Sequence, residues 1–264
     1  MPELAEVEYF RKQWSPGLKQ KVVSVEVHSK ARVFRGVDLA ALERAVPGKL
    51  LLESAAHGKQ MIFRFGGGIW LGVHLGMTGE LLVMKPEGAA GKHDHLVLRQ
   101  KKQALVFRDP RLFGRIRFHE GSHPPEWWKN LPPPVLSKGF TQERIAHAAL
   151  RRRSTNLKAF LLMQEYFPGI GNWMADEILW RARFSPHRKA GSLSKDEITL
   201  LRREIQAVSR HAMKVIGTRW GDLPDSWLFN HRWKDGGACP RTGVTLTRET
   251  VGGRTTCWSM AWQR

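Results

Sequence analysis

Residues able to do chemistry gather in a few short stretches marked by glycine or proline. The chain opens "MPELAEVE", with a proline second and carboxylates at Glu3, Glu6 and Glu8. A helix start accounts for these residues. Proline loses nothing in a first turn, where its missing N–H would lack a partner anyway, and acidic side chains there complement the helix dipole. That account leaves open why such a pattern stands at a chain end, which is ordinarily frayed. In "FPGIGNWMADEIL", Gly169-Ile170-Gly171 runs straight into a predicted helix from Asn172. Free N–H groups and a positive dipole end at such a point make either a plain turn or a phosphate site. "HLGMTGELL" sets Met77 between Gly76 and Thr78-Gly79, and "DPRLFGRI" sets Arg111 and Phe113 in a turn after Asp109-Pro110. Met and Phe ordinarily fill cores, yet on loops of a basic protein the same side chains wedge into a base stack. Lys59, in "AHGKQM", reads by position alone as a surface lysine at a strand start.

The elements that must position these residues follow from pattern. Val22–Val27, Gln60–Phe65, Ile69–Val73 and Glu80–Met84 are β-branched or alternating, and Gly66-Gly67-Gly68 turns between two of them. Leu96–Leu98 and Ala104–Phe107 read as another hairpin. Leu4, Val7, Phe10 and Trp14 have helical spacing, so an early helix buried against a β-sandwich is expected. Glu120–Phe140 is rich in proline and reads as a linker. Beyond it the chain turns helical. Thr141 caps a helix through Arg151-Arg152-Arg153, a second covers about Leu157–Gln164, and a third Asn172–Ala182. Ser194 and Glu197 make a capping box before Ile198, Leu201, Ile205, Val208, Ala212 and Val215, an amphipathic helix predicted to end at Gly217. Val244–Val251 and Arg254–Trp262 return to β about a Gly252-Gly253 turn.

Lys and Arg outnumber Asp and Glu by 43 to 24, giving a formal charge of +19 and a pI near 10.6. Such a surplus concerns partners rather than fold and points to a polyanion, nucleic acid ahead of an anionic membrane surface. No apolar run approaches the ~20 residues of a spanning helix, and no signal-peptide core is visible near the start. Cys239 and Cys257 alone make no disulfide framework, so an intracellular, reducing location is expected. Most of the eleven tryptophans should be core, with some free to stack on bases.

Several separated motifs together resemble the formamidopyrimidine-DNA glycosylase and endonuclease VIII family of base-excision repair enzymes. They are PELAEVE at the start, GK at 58–59, HLGMTG at 74–79, KHDH at 92–95, DPRLFG at 109–114, GIGNWMADE at 169–177 and VGGRTT at 251–256. The resemblance implies an α+β multidomain fold. It has an N-terminal catalytic β-sandwich with an early helix (1–131), a helix–two-turn–helix DNA-binding domain (132–226) and a C-terminal β-hairpin finger (227–264). It also implies an answer to the opening pattern. With Met1 removed, the secondary amine of Pro2 would be the nucleophile that attacks C1′, expels the base and forms a Schiff base, with Glu3 handling protons at the sugar. An α-amine has a pKa near ~8, far below lysine's, so much of it is neutral and nucleophilic. By the same resemblance Lys59, Asn172 and Arg254 grip phosphates, with Lys59 also counted in the catalytic set. Met77, Arg111 and Phe113 fill the space left by the everted nucleotide. Lys158, a basic position of the helical domain, is placed with the residues that grip phosphates, and Glu6 is a supporting acidic one.

The finger departs from the family's usual pattern of two C-x-x-C pairs. Those four positions fall on Cys239, Thr242, Ser259 and Trp262, with Cys257 two residues out of register. Structural zinc takes four good ligands, and His231 nearby does not supply the deficit. The chain therefore resembles the zincless-finger branch of plant and fungal relatives, with no metal and no cofactor, and with Trp258 and Trp262 packing in place of the ion. A second departure is the short segment Thr218–Ser226 before the finger, where relatives that read 8-oxoguanine carry a long loop. The expected partners are damaged double-stranded DNA and single-stranded DNA, with no membrane, for a monomer placed in the bacterial cytoplasm or the eukaryotic nucleus. The rival is a non-catalytic damaged-DNA-binding protein on the same scaffold, which leaves Pro2, Glu3 and Lys59 without a reason.

Overall fold

The computed structural model describes residues 1–28 and 30–264 and divides them into two compact units. One comprises residues 1–2 and 6–131, the other residues 3–5 and 132–264. In the first, the chain runs α1 (Leu4–Gln13), β1 (Val22–Val27), α2 (Leu39–Ala45), β2 (Leu51–His57), β3 (Gln60–Phe65), β4 (Ile69–His74), β5 (Glu80–Met84), β6 (Asp94–Gln100), β7 (Ala104–Arg108), β8 (Arg115–Glu120) and α3 (Glu126–Lys129). Two antiparallel four-stranded sheets result, in the orders β1-β6-β7-β5 and β2-β3-β4-β8. Their inner faces meet in one apolar core with Met61, Phe63, Phe65, Leu71, Leu98 and Phe107. Val7 and Trp14 of the early helix segment join that core, and the Trp14 indole donates to the Val106 carbonyl at 3.3 Å. β6 and β7 are buried on both faces because Val97, Ala104 and Val106 form a second apolar cluster behind the sheet.

Two strands, β2 and β8, and two helices, α2 and α3, were not expected. β2 contains Ser54, Ala55 and Ala56, which are weak strand formers. β8 alternates Arg115-Ile116-Arg117-Phe118-His119, so its apolar face is only half visible. α3 lies inside the proline-rich stretch, with Pro125 at its N-cap.

The second unit holds α4 (Gln142–Arg151), α5 (Leu157–Leu161), α6 (Asn172–Ala182), α7 (Lys195–Arg219), β9 (Thr247–Val251) and β10 (Arg254–Trp258). Thr141 and Asn156 cap α4 and α5 with their side chains, and Ser194 with Glu197 forms the capping box of α7. α5 stops before Gln164, whose side chain is used in the turns that follow. Its amide donates to the Leu162 and Ile170 carbonyls at 2.9 and 2.8 Å and accepts from Gly169 N–H at 3.0 Å. This knot sets the path from α5 to α6. α7 passes through Gly217, which is buried among helix neighbours rather than used as a left-handed cap, and ends at Arg219 with Trp220 at φ 54°. β9 and β10 pair from Val251↔Arg254, and Gly252 (φ +60°) and Gly253 (φ +75°) supply the two positive-φ positions of a tight hairpin turn.

Candidate active site

The Glu3 side chain is buried, 2% exposed, at the N-terminus of α6. Its Oε2 accepts from Gly171 N–H at 2.8 Å and Met174 N–H at 3.1 Å, and its Oε1 from Trp173 N–H at 2.9 Å. Leu4 N–H adds a bond to the Gly169 carbonyl at 3.1 Å. The anion seated at the Gly169-Ile170-Gly171 turn is therefore the chain's own carboxylate. Helix dipole and free amides stabilise it as they would a phosphate. Gly171 is required by space, since a Cβ there would overlap the Glu3 carboxylate. The chain start is thereby pinned rather than frayed.

Behind this turn lies a buried ionic network. Asp176 of α6, with no exposed side chain, accepts from Lys158 Nζ, from Arg232 Nη2 and Nε at 2.6 and 3.1 Å, and from Cys257 N–H at 3.0 Å. Lys158 also donates to the Asn172 carbonyl at 2.7 Å. Burial pulls the Lys158 ammonium below its ordinary value, and Asp176 opposes that pull. The expectation that Lys158 grips phosphate is corrected here. Its ammonium has no exposed surface and is committed to Asp176 and the Asn172 turn. Asn172 itself is part-exposed, with Nδ2 on the Thr255 carbonyl at 2.8 Å and Oδ1 buried without a partner. Arg254, one residue before Thr255, is exposed at the hairpin turn. A Cβ on Gly252 would meet Ala159 Cβ at 2.7 Å, so the turn rests directly on α5.

In the first unit, Lys59 lies in the β2–β3 turn, and its Nζ is 3.8 Å from the sulfur of Met1, the residue before Pro2. His74, at the end of β4, accepts from Gly76 N–H at 3.0 Å through Nδ1. Burial, then Lys59, Arg117 and Arg35, lower its pKa to about 4, so its ring is neutral near pH 7. Sequence reading left His74 without a role, although it begins the HLGMTG motif.

Met77 and Phe113 are exposed, as is Arg111, whose guanidinium lies 5.0 Å from the Phe113 ring centre. Leu112 between them has φ 58°, a left-handed conformation that a branched residue adopts only under constraint. Asp109 supplies the constraint. Fully buried, it accepts from Thr78 Oγ1 at 2.9 Å, Arg111 N–H at 3.3 Å and Gly114 N–H at 2.7 Å. His95 Nε2 donates to the Asp109 carbonyl at 2.9 Å. Gly76 packs so closely on the Phe113-Gly114 backbone that a Cβ would overlap it. Asp109 and Thr78 thus clasp the turn carrying Met77 to the turn carrying Arg111 and Phe113. Glu6 lies part-buried on α1.

The finger residues do not fit a zinc site. Among the described residues no three His, Cys, Asp or Glu side chains group as metal ligands. Burial pushes the Cys257 thiol up to about 11. Burial alone would also raise Cys239, but bonds from Thr242, the Trp180 indole and the Arg241 and Thr242 amides bring it down to about 7. The finger is held instead by Trp180, Leu228, Leu246 and the two cysteines, with the Trp262 indole donating to the Trp180 carbonyl at 3.0 Å. Arg183 stacks on the Trp262 ring at 3.7 Å, and the Trp258 indole donates to Glu249 at 2.6 Å.

Comparison with known proteins agrees with this architecture. Residues 1–116 match the formamidopyrimidine-DNA glycosylase N-terminal domain and residues 131–221 the formamidopyrimidine-DNA glycosylase H2TH domain. The formamidopyrimidine-DNA glycosylase of Roseiflexus sp. (strain RS-1) is 34% identical, with 100% of both chains covered. That of Carboxydothermus hydrogenoformans is 34% identical over 97% of each chain. Among solved structures, the Lactococcus lactis enzyme non-covalently bound to DNA containing an AP site superposes with a TM-score of 0.87, at 26% identity over 99% of each chain. The same enzyme with oxidized-pyrimidine DNA gives 0.88 at 27% identity, covering 100% of each. With both domains matched in order and relatives aligned along its whole length, the chain belongs to the formamidopyrimidine-DNA glycosylase family.

Proposed function

We propose that the family's reaction runs here through Pro2. The protein is a base-excision-repair DNA glycosylase with abasic-site lyase activity. Removal of Met1 frees a secondary amine. The Pro2 nitrogen forms a bond to C1′ of the damaged nucleotide as the glycosidic bond breaks and the base leaves. The C1′–O4′ bond then opens, O4′ taking a proton as the nitrogen lone pair forms the C=N bond of the Schiff base. That bond makes the C2′ protons acidic, and successive β- and δ-elimination expel the phosphates on either side. The observation that carries this reading is the anchoring of Glu3. A carboxylate held by the amides of Gly171, Trp173 and Met174 at the N-terminus of α6 fixes the residue next to the amine.

Lys59 beside the chain start serves as the cation for a phosphate flanking the lesion. Arg254 and the Asn172 turn serve the same purpose in the second unit. Asn172 reaches a phosphate by releasing the Thr255 carbonyl. Met77, Arg111 and Phe113 fill the space of the everted nucleotide, whose unstacking costs a few kcal/mol. The substrate class is duplex DNA bearing oxidised or ring-opened bases, with single strands accepted and the protein acting as a monomer.

Borohydride reduction in the presence of abasic DNA separates this reading from a damage-binding protein without catalysis. The native protein should form a covalent adduct, and Pro2→Gly should form little or none. Binding without any adduct would support the rival.

A further inference from the structure

The outer face of the β2-β3-β4-β8 sheet carries a group of cations that the assignments above do not use. Arg115 and Arg117 alternate outward on β8, opposite His74 and Gly72 of β4. The 3-10 turn Arg32–Phe34 packs against β8, and Arg35 after it donates to the Gly114 carbonyl at 2.9 Å. Arg117 is fixed in place by Trp127, 4.6 Å from its guanidinium, and a Cβ on Gly72 would overlap that indole. Arg115 Nε is buried and has no acceptor.

Among the described residues, the charged groups that act on these cations are themselves cations. The charges acting on Arg35 are Arg115 and Arg32, and those acting on Arg117 are Arg115 and Arg35. Like charges held together, two of them half-buried on β8, raise the free energy of the unliganded state, and a multivalent anion relieves it. Planar guanidinium groups suit phosphate oxygens in particular. Arg35 and Arg117 also act on His74, as Lys59 does, so the group continues the basic line that starts beside Pro2.

We propose that Arg35, Arg115 and Arg117 form a further phosphate subsite, taking a backbone phosphate of DNA beyond those assigned to Lys59, Asn172 and Arg254. The proposal rests on the DNA reading of the preceding section, but not on Pro2 being the nucleophile. The subsite lengthens the footprint without reading sequence.

The test uses a duplex with a stable abasic analogue, carrying a neutral methylphosphonate at one linkage at a time. In the native protein one linkage should be costly to neutralise, and in Arg115→Gln and Arg117→Gln that cost should vanish. Each of these variants should also reduce the slope of log K against log salt by about one, whereas Arg117→Lys should keep the slope. If a Gln variant melts below the native protein, Arg35→Ala, at a solvent-exposed position, gives the same readout. A linkage profile identical in native and variant proteins would overturn the subsite. Borohydride trapping is run as a separate arm. Its failure would remove the Pro2 mechanism while leaving the linkage profile interpretable.

Discussion

Glu3 shows how much one side chain can carry when its partners are far away in sequence. Its bond to Gly171 spans 168 positions. The sequence shows a carboxylate at one end and a glycine turn with exposed amides at the other, and local reading gives each a separate purpose. Their union is a product of the fold. Glu3→Gln replaces one acceptor oxygen with a donor aimed at amide N–H groups. Leaving such groups unpaired costs about 1–3 kcal/mol, so urea denaturation should show a loss of that order, and trapping should fall with it. An unchanged midpoint would mean the amides find other acceptors. The wedge residues tell a similar story. Met77, Arg111 and Phe113 were legible as loop residues, but Asp109 and Thr78, which hold their turns together, have no local signature. Thr78→Val removes the hydroxyl at 2.9 Å from Asp109. Turnover on paired lesions should drop several-fold, and on single strands much less, because no opposite strand has to be displaced there. Equal losses on both substrates would assign Thr78 a purely structural part.

At the scale of elements, helices with strong caps and the alternating strands of the first unit were readable to within a residue or two. The finger strands, expected over Val244–Val251 and Arg254–Trp262, are shorter, Thr247–Val251 and Arg254–Trp258. α6 and the start of α7 fall where glycine, capping box and periodicity put them. β2 and β8 escaped because alanine, serine and arginine dilute their pattern, and the site depends on both: Lys59 follows one, and Arg115 and Arg117 lie on the other. α5 ends early because Gln164 serves the turns, a tertiary use that no propensity reports. The Lys158–Asp176–Arg232 network fixes the turn before α6 to the finger strand at Cys257. Lys158→Met leaves Asp176 paired with Arg232 but short of one buried partner, so stability should fall by about 1–3 kcal/mol. Arg254→Ala, at an exposed turn, should leave it almost unchanged. His74 adds a pH dependence with a definite sign. Its pKa is near 4 in the folded chain and near its ordinary 6.5 when unfolded, so the unfolded state binds more protons between those values. Its contribution to stability is therefore present above pH 6.5 and is lost as the pH falls toward 4. His74→Asn should flatten that part of the stability–pH curve, as read by denaturation at a series of pH values.

For the whole molecule, charge and motif order announced a DNA-handling enzyme before any geometry was known. In the finger, Thr242, Ser259 and Trp262 stand where zinc ligands are usual, and Trp180, which the sequence did not single out, packs with Leu228, Leu246, Cys239 and Cys257. Purified protein should accordingly contain no stoichiometric zinc and keep its activity in strong chelators, with elemental analysis as the check. The central claim, however, concerns one nitrogen atom. After borohydride reduction on abasic DNA, proteolysis and mass spectrometry of the adduct locate the bond directly. The account predicts a nucleotide remnant on the N-terminal peptide, beginning at Pro2 with Met1 absent. A remnant on a lysine peptide, with an unmodified N-terminal peptide recovered beside it, would contradict the account.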